Sequence, residues 1–175
     1  GKNPGVGALQ TVAQHLGIDK SKHVVLYDDE GGGWAGRLAW SLDLLGLTSW
    51  SYLNGGIVSW IKEGYVTESG MNQPKSVDQD LVSDFSNPQA LISMQQITAS
   101  LGMAEFAIWD ARSPDEYSGA VARAERGGHI PGAINLEWTE LIDQRRNLRI
   151  RGNSQQMLDD LGLGQDKQIA THCQS

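Results

Sequence analysis

The fold is decided by residues 23–46, which read HVVLYDDEGGGWAGRLAWSLDLLG. The short apolar run at 23–27 predicts a strand, and the acidic and glycine-rich residues 28–33 predict a turn. Apolar side chains at helical spacing then continue to Gly46 and predict a helix that ends there. A short apolar strand bounded by loops is typical of a buried parallel sheet.

The same alternation extends to both sides of this stretch. A helical pattern ends at Gly17, before the strand, and residues 49–53 are a second strand candidate. A turn at 54–56 follows, and another helix begins at Ile57. Strands that alternate with helices predict an α/β fold with a mainly parallel sheet flanked by helices.

The second half of the chain repeats this organisation after a polar interval. Residues 69–88 are rich in Ser, Asn, Gln, Asp and Pro, which predicts a linker. A capping-box pattern at 93–96 opens a helix, and residues 106–109 form a strand candidate with Asp110 at its end. A long irregular stretch is expected next, before a last helix and a strand at 168–172.

An internal repeat links the two halves. A shift of 145 positions, the difference between 12 and 157, superimposes Val12, Leu16, Gly17, Ile18 and Lys22 on Met157, Leu161, Gly162, Leu163 and Lys167. The same shift superimposes Asp28 on Cys173. We therefore predict two partial copies of one α/β unit, the first without its beginning (1–68) and the second without its end (89–175).

Composition excludes several classes of partner. The formal net charge of -7 argues against nucleic acid, and the arginines within 145–151 are predicted to lie in a solvated loop. No stretch reaches the roughly 18–20 continuous apolar residues that a membrane span needs. The single cysteine, Cys173, permits no internal disulfide and favours a reducing compartment such as the cytoplasm.

Cys173 is the main candidate for chemistry because it directly follows a predicted parallel strand. Active sites of open α/β sheets lie at the carboxyl ends of such strands. In the first copy, Asp28 is followed by a glycine-rich loop and a helix, so a similar loop after Cys173 would surround the thiol with N–H groups and lower its pKa. The alternative interpretation is a buried, inert cysteine at a strand end.

Other polar residues near the strand ends have more ordinary interpretations. His172 should alternate to the opposite face from Cys173 and is interpreted as structural, not as a general base. Asp110 and Arg112 form either a structural ion pair or part of the site. The four histidines are scattered along the sequence, so no metal site is expected.

These motifs resemble the tandem-domain rhodanese family, in its bacterial thiosulfate sulfurtransferase form. The resemblance rests on residues 110–112 (DAR), on 116–119 (EYSG), on 128–133 (GHIPGA), on the end THCQS, and in the first copy on 53–56 (LNGG). In vertebrate members of the family an anion-binding arginine stands where Glu116 stands here. The loop beginning Gln174-Ser175 differs from the Gly-Ser-Gly type of mercaptopyruvate enzymes, which favours thiosulfate, or an unknown donor, over mercaptopyruvate.

The resemblance implies a sulfurtransferase in which the Cys173 thiolate takes sulfane sulfur from thiosulfate as a persulfide and passes it to an acceptor such as cyanide. Arg112, Gln174 and Ser175 would bind substrate. Residues 1–68 would be the C-terminal part of an inactive domain, in which Asp28 replaces the nucleophile, and 89–175 the N-terminal part of the catalytic domain. No cofactor is implied.

Two other functions remain open from the sequence. A cysteine-dependent phosphatase or arsenate reductase uses a related site with a longer loop, and some rhodanese-like domains are non-catalytic binding modules. A chain that stops at Ser175 lacks most of the active-site loop, so we expect it to have little turnover by itself. Two partial domains would expose apolar faces, which predicts association of the half-domains within or between chains.

Overall fold

A computed structural model of the chain describes residues 4–78 and 85–173. The chain forms two compact units. Unit 1 consists of residues 1–91 and 144–149, and unit 2 consists of residues 92–143 and 150–175. The domain limits expected from the sequence, at 68 and 88, stay a prediction.

Unit 1 alternates helices and strands, as its sequence predicts. The elements are α1 (Val6–His15), β1 (Val24–Leu26), α2 (Gly33–Leu44), β2 (Trp50–Tyr52) and α3 (Gly56–Lys62). The two strands pair in parallel, with Val24 opposite Trp50. Parallel pairing requires a crossover connection, which α2 supplies. The strand, turn and helix expected within 23–46 are therefore confirmed.

The core of unit 1 lies between its first two helices and β1. Apolar positions at helical spacing bury one face of α2, which explains why this segment folds as a helix against the sheet. The buried cluster consists of Ala13, Ile18, Leu26, Ala35, Ala39, Leu42, Leu45 and Leu47.

Unit 2 is built on a three-stranded parallel sheet. Its elements are α4 (Met94–Ser100), β3 (Phe106–Asp110), α5 (Pro114–Ser118), β4 (Ile134–Asn135), β5 (Ile142–Asp143), α6 (Ser154–Asp160) and β7 (Gln168–His172). The short strand β6 (Arg149–Ile150) begins at the last residue of unit 1 and ends at Ile150 of unit 2. The strand order in the sheet is β4-β3-β7, and β5 pairs with β6. The central strand is therefore β3, so Asp110 at its carboxyl end has a neighbouring strand on each side.

The helices of both units are short. The longest described helix, α2, has 12 residues. Short 3₁₀ helices occur at Pro88–Ala90, Trp138–Leu141 and Gln144–Arg146. Within residues 4–78 and 85–173, no helix combines the length and the apolar character needed to cross a bilayer.

The sequence repeat has the same local structure in both copies. At the end of α1, Gly17 donates to Gln14 O (3.0 Å) and Ile18 donates to Ala13 O (2.8 Å). At the end of α6, the equivalent bonds from Gly162 and Leu163 are both 2.9 Å. Both glycines have positive φ, +71° and +75°. These are Schellman motifs, and each leads into the strand that precedes Asp28 or Cys173.

One helix of unit 2 departs from the sequence-based prediction. The stretch after Asp110 was expected to be irregular, but it contains α5. Ser113 caps this helix by accepting a hydrogen bond from Glu116 N, and Pro114 occupies the first turn. Proline there costs no hydrogen bond, because the first N–H groups of a helix have no partner within it. The capping box of α4, in contrast, is confirmed with both its reciprocal bonds.

The basic segment within 145–151 is not simply a solvated loop. Residues 144–149 belong to unit 1, where the Arg149 guanidinium pairs with the Glu63 carboxylate and donates from Nε to Ser59 Oγ at 3.2 Å. The buried Ser59 in turn donates to Asn147 O at 3.0 Å. Arg145 and Arg146 are exposed, as predicted, whereas the prediction was wrong for Arg149, because its acidic partner, Glu63, is remote in sequence.

Candidate active site

The carboxylate of Asp28 accepts four backbone hydrogen bonds from the loop that follows β1. Oδ1 accepts from Gly32 N (2.8 Å) and Glu30 N (3.1 Å). Oδ2 accepts from Trp34 N and Ala35 N, both at 3.0 Å. The last two donors belong to the first turn of α2, whose N-terminus carries partial positive charge. The loop is therefore an anion cradle with the Asp28 carboxylate inside it.

This cradle changes the protonation behaviour of Asp28. Burial alone would raise the pKa of Asp28, but the four N–H donors outweigh it, so the pKa lies below its ordinary value. A carboxyl group whose pKa is lower in the folded state than in the unfolded state stabilises the fold. This contribution is complete above the unfolded pKa, about 4, and is lost as the pH falls towards the folded pKa.

We therefore expect the Asp28→Asn variant to be less stable than the wild type at pH 7, with a difference that narrows as the pH falls below about 4. Urea unfolding of both proteins across this range measures the difference. Asp29→Asn removes the same charge from the next residue, which takes no part in the four bonds, and serves as the control. A difference that stayed constant with pH would contradict the prediction.

In unit 2, the end of β3 holds a buried ion pair. The side chain of Asp110 is fully buried, with 0% of its surface exposed. Arg112 binds it through two hydrogen bonds, Nε to Oδ1 (2.9 Å) and Nη2 to Oδ2 (2.5 Å). Nη2 also donates to Gly128 O at 2.9 Å. The guanidinium is thus fixed in place by three hydrogen bonds.

Residues from both neighbouring strands complete the surroundings of Asp110. His172 of β7 and Asn135 of β4 lie opposite Asp110 in the two strand registers. His172 Nε2 is 3.3 Å from Asp110 Oδ2. Asn135 Nδ2 donates to the carbonyl oxygens of Asp110 (2.9 Å) and Arg112 (2.8 Å). Asn135 was not predicted from the sequence, although it follows the GHIPGA motif directly.

The electrostatics of this cluster favour a charged Asp110 and a neutral His172. Burial alone would raise the pKa of Asp110, but the hydrogen bonds from Arg112, together with its charge, bring it below its ordinary value. Burial lowers the pKa of His172 against the opposing charge of Asp110. A neutral imidazole at pH 7 agrees with the structural role predicted for His172. Its ring faces Asp110 because residues opposite each other in adjacent strands present their side chains on the same face of the sheet.

Cys173 directly follows β7 and is exposed. It lies in the field of Arg112. The hydrogen bond to Asp110 contributes most to raising the pKa of Arg112. The charges of Asp110, Glu116 and Cys173 raise this pKa further. The strand register supports this placement, because Asp110 lies opposite His172, the residue before Cys173, and Ala111 N donates to His172 O at 3.0 Å.

Glu116, where the resemblance places an anion-binding arginine in vertebrate members, is buried. Its carboxylate accepts a hydrogen bond from Ser113 Oγ at 3.1 Å and pairs with Arg123 Nε at 3.3 Å. A glutamate supplies no positive charge, so Glu116 itself is unsuited to hold thiosulfate in the way that an arginine would.

The GHIPGA motif, residues 128–133, stabilises the loop between α5 and β4. The rings of His129 and Tyr117 stack with centroids 3.7 Å apart. The Tyr117 hydroxyl donates to Ala133 O at 2.7 Å, and His129 Nδ1 is 2.8 Å from Tyr117 O. Gly128 O, at the start of the motif, accepts from Arg112. The motif is thus linked to the site through Arg112.

Two of the predicted site residues, Gln174 and Ser175, lie outside the described residues. Their role as substrate ligands stays a prediction. Among the residues that are described, no group of three or more His, Cys, Asp or Glu side chains is arranged to hold a metal ion.

The family model for the rhodanese-like domain matches residues 2–63 and 93–175. The chain belongs to the rhodanese family. The two matched ranges fall within the two sequence copies, 1–68 and 89–175, so the resemblance inferred from the GHIPGA motif and the ends of the strands is confirmed.

Curated relatives within the rhodanese family extend the comparison. A thiosulfate sulfurtransferase of Azotobacter vinelandii is 42% identical over 182 residues, which cover 100% of this chain and 64% of that protein. A 3-mercaptopyruvate sulfurtransferase of Escherichia coli K12 is 27% identical over 93% of this chain and 57% of that protein. The chain spans less than two thirds of the length of these relatives.

Solved structures show the same rhodanese fold. The anaerobic ergothioneine biosynthesis enzyme from Chlorobium limicola, in complex with trimethyl histidine, matches with a TM-score of 0.79 and 22% identity. The match covers 95% of this chain and 45% of that chain. At this level of identity the likeness shows the fold alone, and it confirms the predicted α/β class.

Proposed function

We propose that the protein is a thiosulfate sulfurtransferase, which transfers sulfane sulfur to a thiophilic acceptor such as cyanide through a persulfide on Cys173. The observation that carries this proposal is the exposed Cys173 directly after β7, whose last residue, His172, lies opposite Asp110 of the buried Asp110–Arg112 pair. The sulfurtransferase relatives that match the whole chain support it.

The reaction needs two displacements at sulfur. The Cys173 thiolate attacks the outer sulfur of thiosulfate, a new S–S bond forms, and sulfite leaves with the electron pair of the broken S–S bond. Cyanide then attacks the outer sulfur of the persulfide, and the thiolate leaves as thiocyanate forms. A nucleophile that carries the group between two substrates predicts ping-pong kinetics.

Arg112 contributes a fixed positive charge in this proposal. Its bonds to Asp110 and Gly128 hold the guanidinium near Cys173, where it stabilises the thiolate and the departing thiolate of the second step. A role of Arg112 in binding thiosulfate, with Gln174 and Ser175, belongs to the same proposal, because an anion is attracted to the same charge.

The domain assignment is also a proposal. Residues 1–68 would be the C-terminal part of an inactive rhodanese domain and residues 89–175 the N-terminal part of the catalytic one. Asp28 supports the first assignment, since a carboxylate cannot carry a transferable sulfur atom.

The proposed partners are a small sulfur donor and a small acceptor in the cytoplasm, where a reduced thiol persists. Association of half-domains, within or between chains, is supported by exposed apolar side chains of unit 1, such as Val25 (55%) and Trp34 (69%). Gel filtration tests this part of the proposal. A well-behaved monomer would contradict association between chains.

Sulfur loading of Cys173 tests the function directly. Intact mass spectrometry of the full-length, reduced protein should show the gain of one sulfur atom after thiosulfate and its loss after cyanide. The Cys173→Ser variant, which differs by one atom, should show neither change. A folded, reduced wild-type protein that gains no sulfur would contradict the proposal and favour a phosphatase-type or binding-module function.

A further inference from the structure

Arg123 lies in the loop between α5 and β4, outside the groups that the two displacements at sulfur require. We propose that Arg123 is a specificity-determining residue: its positive charge, held in place by the buried Glu116 carboxylate, attracts a small anion to the thiol of Cys173. Because it concerns the donor of the same site, this role of Arg123 rests on the proposed function. It predicts a preference for anionic sulfur donors over neutral ones.

The Glu116 carboxylate fixes the position of the arginine. Its side chain is only 9% exposed, and Oε1 lies 3.3 Å from Arg123 Nε. The other oxygen, Oε2, accepts a hydrogen bond from Ser113 Oγ at 3.1 Å. A carboxylate with so little contact with water needs a cation beside it, because a buried charge is costly unless it is paired. Arg123 is therefore held by a group that is itself anchored in α5.

The ion pair presents its positive end to solvent. The Arg123 side chain is 61% exposed, whereas that of Glu116 is buried. A pair of two mobile surface side chains has little effect, but here one partner is buried and hydrogen-bonded. The guanidinium is thus a positive charge at a defined place on the surface. Such a charge raises the local concentration of anions and the rate at which they arrive.

The backbone of residues 119–128 keeps Arg123 close to α5. Val121 N donates to Asp115 O at 3.0 Å. Gly119 ends α5 with φ +85°, and a Cβ on it would lie 3.0 Å from Gly128 N, so the two ends of the segment are in contact. Gly128 O accepts the hydrogen bond from Arg112 Nη2. The segment that carries Arg123 is therefore tied to the buried ion pair at the end of β3.

The strand register brings this segment to the side of the sheet where Cys173 lies. Asp110, the last residue of β3, is opposite His172, and Cys173 is the next residue. The helix that holds Glu116 begins at Pro114, directly after the same end of β3. The carboxyl ends of adjacent parallel strands form one edge of a sheet, where small ligands bind. Arg123 is thus placed to act on an anion that approaches Cys173.

Alkylation of Cys173 measures the charge near the thiol without any sulfur transfer. Iodoacetate is an anion and iodoacetamide is its neutral analogue, so the ratio of their rates, followed at Cys173 in the full-length, reduced protein, reports the local potential. Arg123→Gln should lower this ratio at least about threefold at low ionic strength, and the loss should shrink in about 0.5 M salt. Arg123→Lys keeps the charge and should stay within about 1.5-fold of the wild type.

Arg126→Gln is the matched control, because it removes the same charge from an exposed arginine of the same segment. Among the described residues, Arg126 forms no ion pair with a buried carboxylate. Its ratio should stay within about 1.5-fold of that of the wild type. Equal losses for Arg123→Gln and Arg126→Gln would overturn the proposal, as would an unchanged ratio in Arg123→Gln.

A double variant of conserved net charge tests whether Arg123 acts on the anion or only balances Glu116. Glu116→Gln/Arg123→Gln removes one charge of each sign. If the exposed guanidinium acts on the anion, the ratio should remain at least about 1.5-fold below that of the wild type, because the outer charge dominates at the surface. A return to the wild-type ratio would show that Arg123 only neutralises Glu116 and would overturn the proposal.

Steady-state kinetics test the choice of donor. Arg123→Gln should lower kcat/KM for thiosulfate about fivefold or more, chiefly through KM, with kcat within about twofold of the wild type. An unchanged kcat/KM would overturn the role in donor choice. A wild type that took up no sulfur, with an alkylation ratio that still fell in Arg123→Gln, would refute the proposed function and leave the charge near Cys173 established. Sulfur loading with an unchanged ratio would refute only the role of Arg123.

Discussion

Replacement of Asp110 by alanine should lower the free energy of unfolding by about 3–5 kcal/mol, because it leaves a guanidinium without its partner at a buried position. The carboxylate is fully buried and accepts two hydrogen bonds from the guanidinium of Arg112, whose own side chain is only 18% exposed. His172 would lose the charge that faces its Nε2. Urea or thermal unfolding measures the change.

A double-mutant cycle separates the pair from its surroundings. Arg112→Ala leaves the opposite charge unpaired, and the Asp110→Ala/Arg112→Ala double variant should cost clearly less than the sum of the two single changes. Asp115→Asn, at an exposed carboxyl in the same unit, should stay within about 0.5 kcal/mol of the wild type. Additive single changes would show that Asp110 and Arg112 do not act as a pair.

The strands β1, β2, β3 and β7 were the most predictable part of the fold, whereas β4, β5 and β6 lie in the stretch that was expected to be irregular. β7 occupies the residues expected for it, 168–172, and β3 extends the expected strand by one residue, to Asp110. Short apolar runs between glycines and polar turns carry this information because buried parallel strands need apolar side chains on both faces. The helix α5 was missed, since only its cap, Ser113-Pro114, and no apolar periodicity marks it in the sequence.

Side chains of the site were easier to predict than the backbone around them. The pairing of Asp110 with Arg112 and the position of Cys173 after a strand follow from residue type and order. The four N–H groups that bind the Asp28 carboxylate could not be predicted in this way. Every residue except proline has a backbone N–H, and only the folded loop shows where that N–H points. Asn135 was missed because its partners are carbonyl oxygens, which leave no mark on the sequence.

Gly56→Ala should destabilise unit 1 by about 3–6 kcal/mol, although it adds a single methyl group. Gly56 has φ +53°, and left-handed backbone costs an alanine roughly 1–2 kcal/mol. The added Cβ would also lie 2.0 Å from the carbonyl oxygen of Asp28, an overlap with backbone that typically adds about 1–3 kcal/mol. That oxygen accepts a hydrogen bond from Ile57 N at 3.1 Å, worth about 1 kcal/mol, which the displacement would break.

Gly64→Ala provides the matched control for this clash. Gly64 has φ +81°, but no heavy atom lies within 4 Å of its added Cβ, so only the backbone cost of about 1–2 kcal/mol applies. Equal losses in the two variants, measured by urea unfolding, would show that the contact with Asp28 carries no energy. A larger loss for Gly56→Ala would mean that unit 1 holds Asp28 at two points. The loop binds the Asp28 carboxylate, and α3 binds the Asp28 carbonyl group. The second glycine of the LNGG motif would then keep the anion cradle in place.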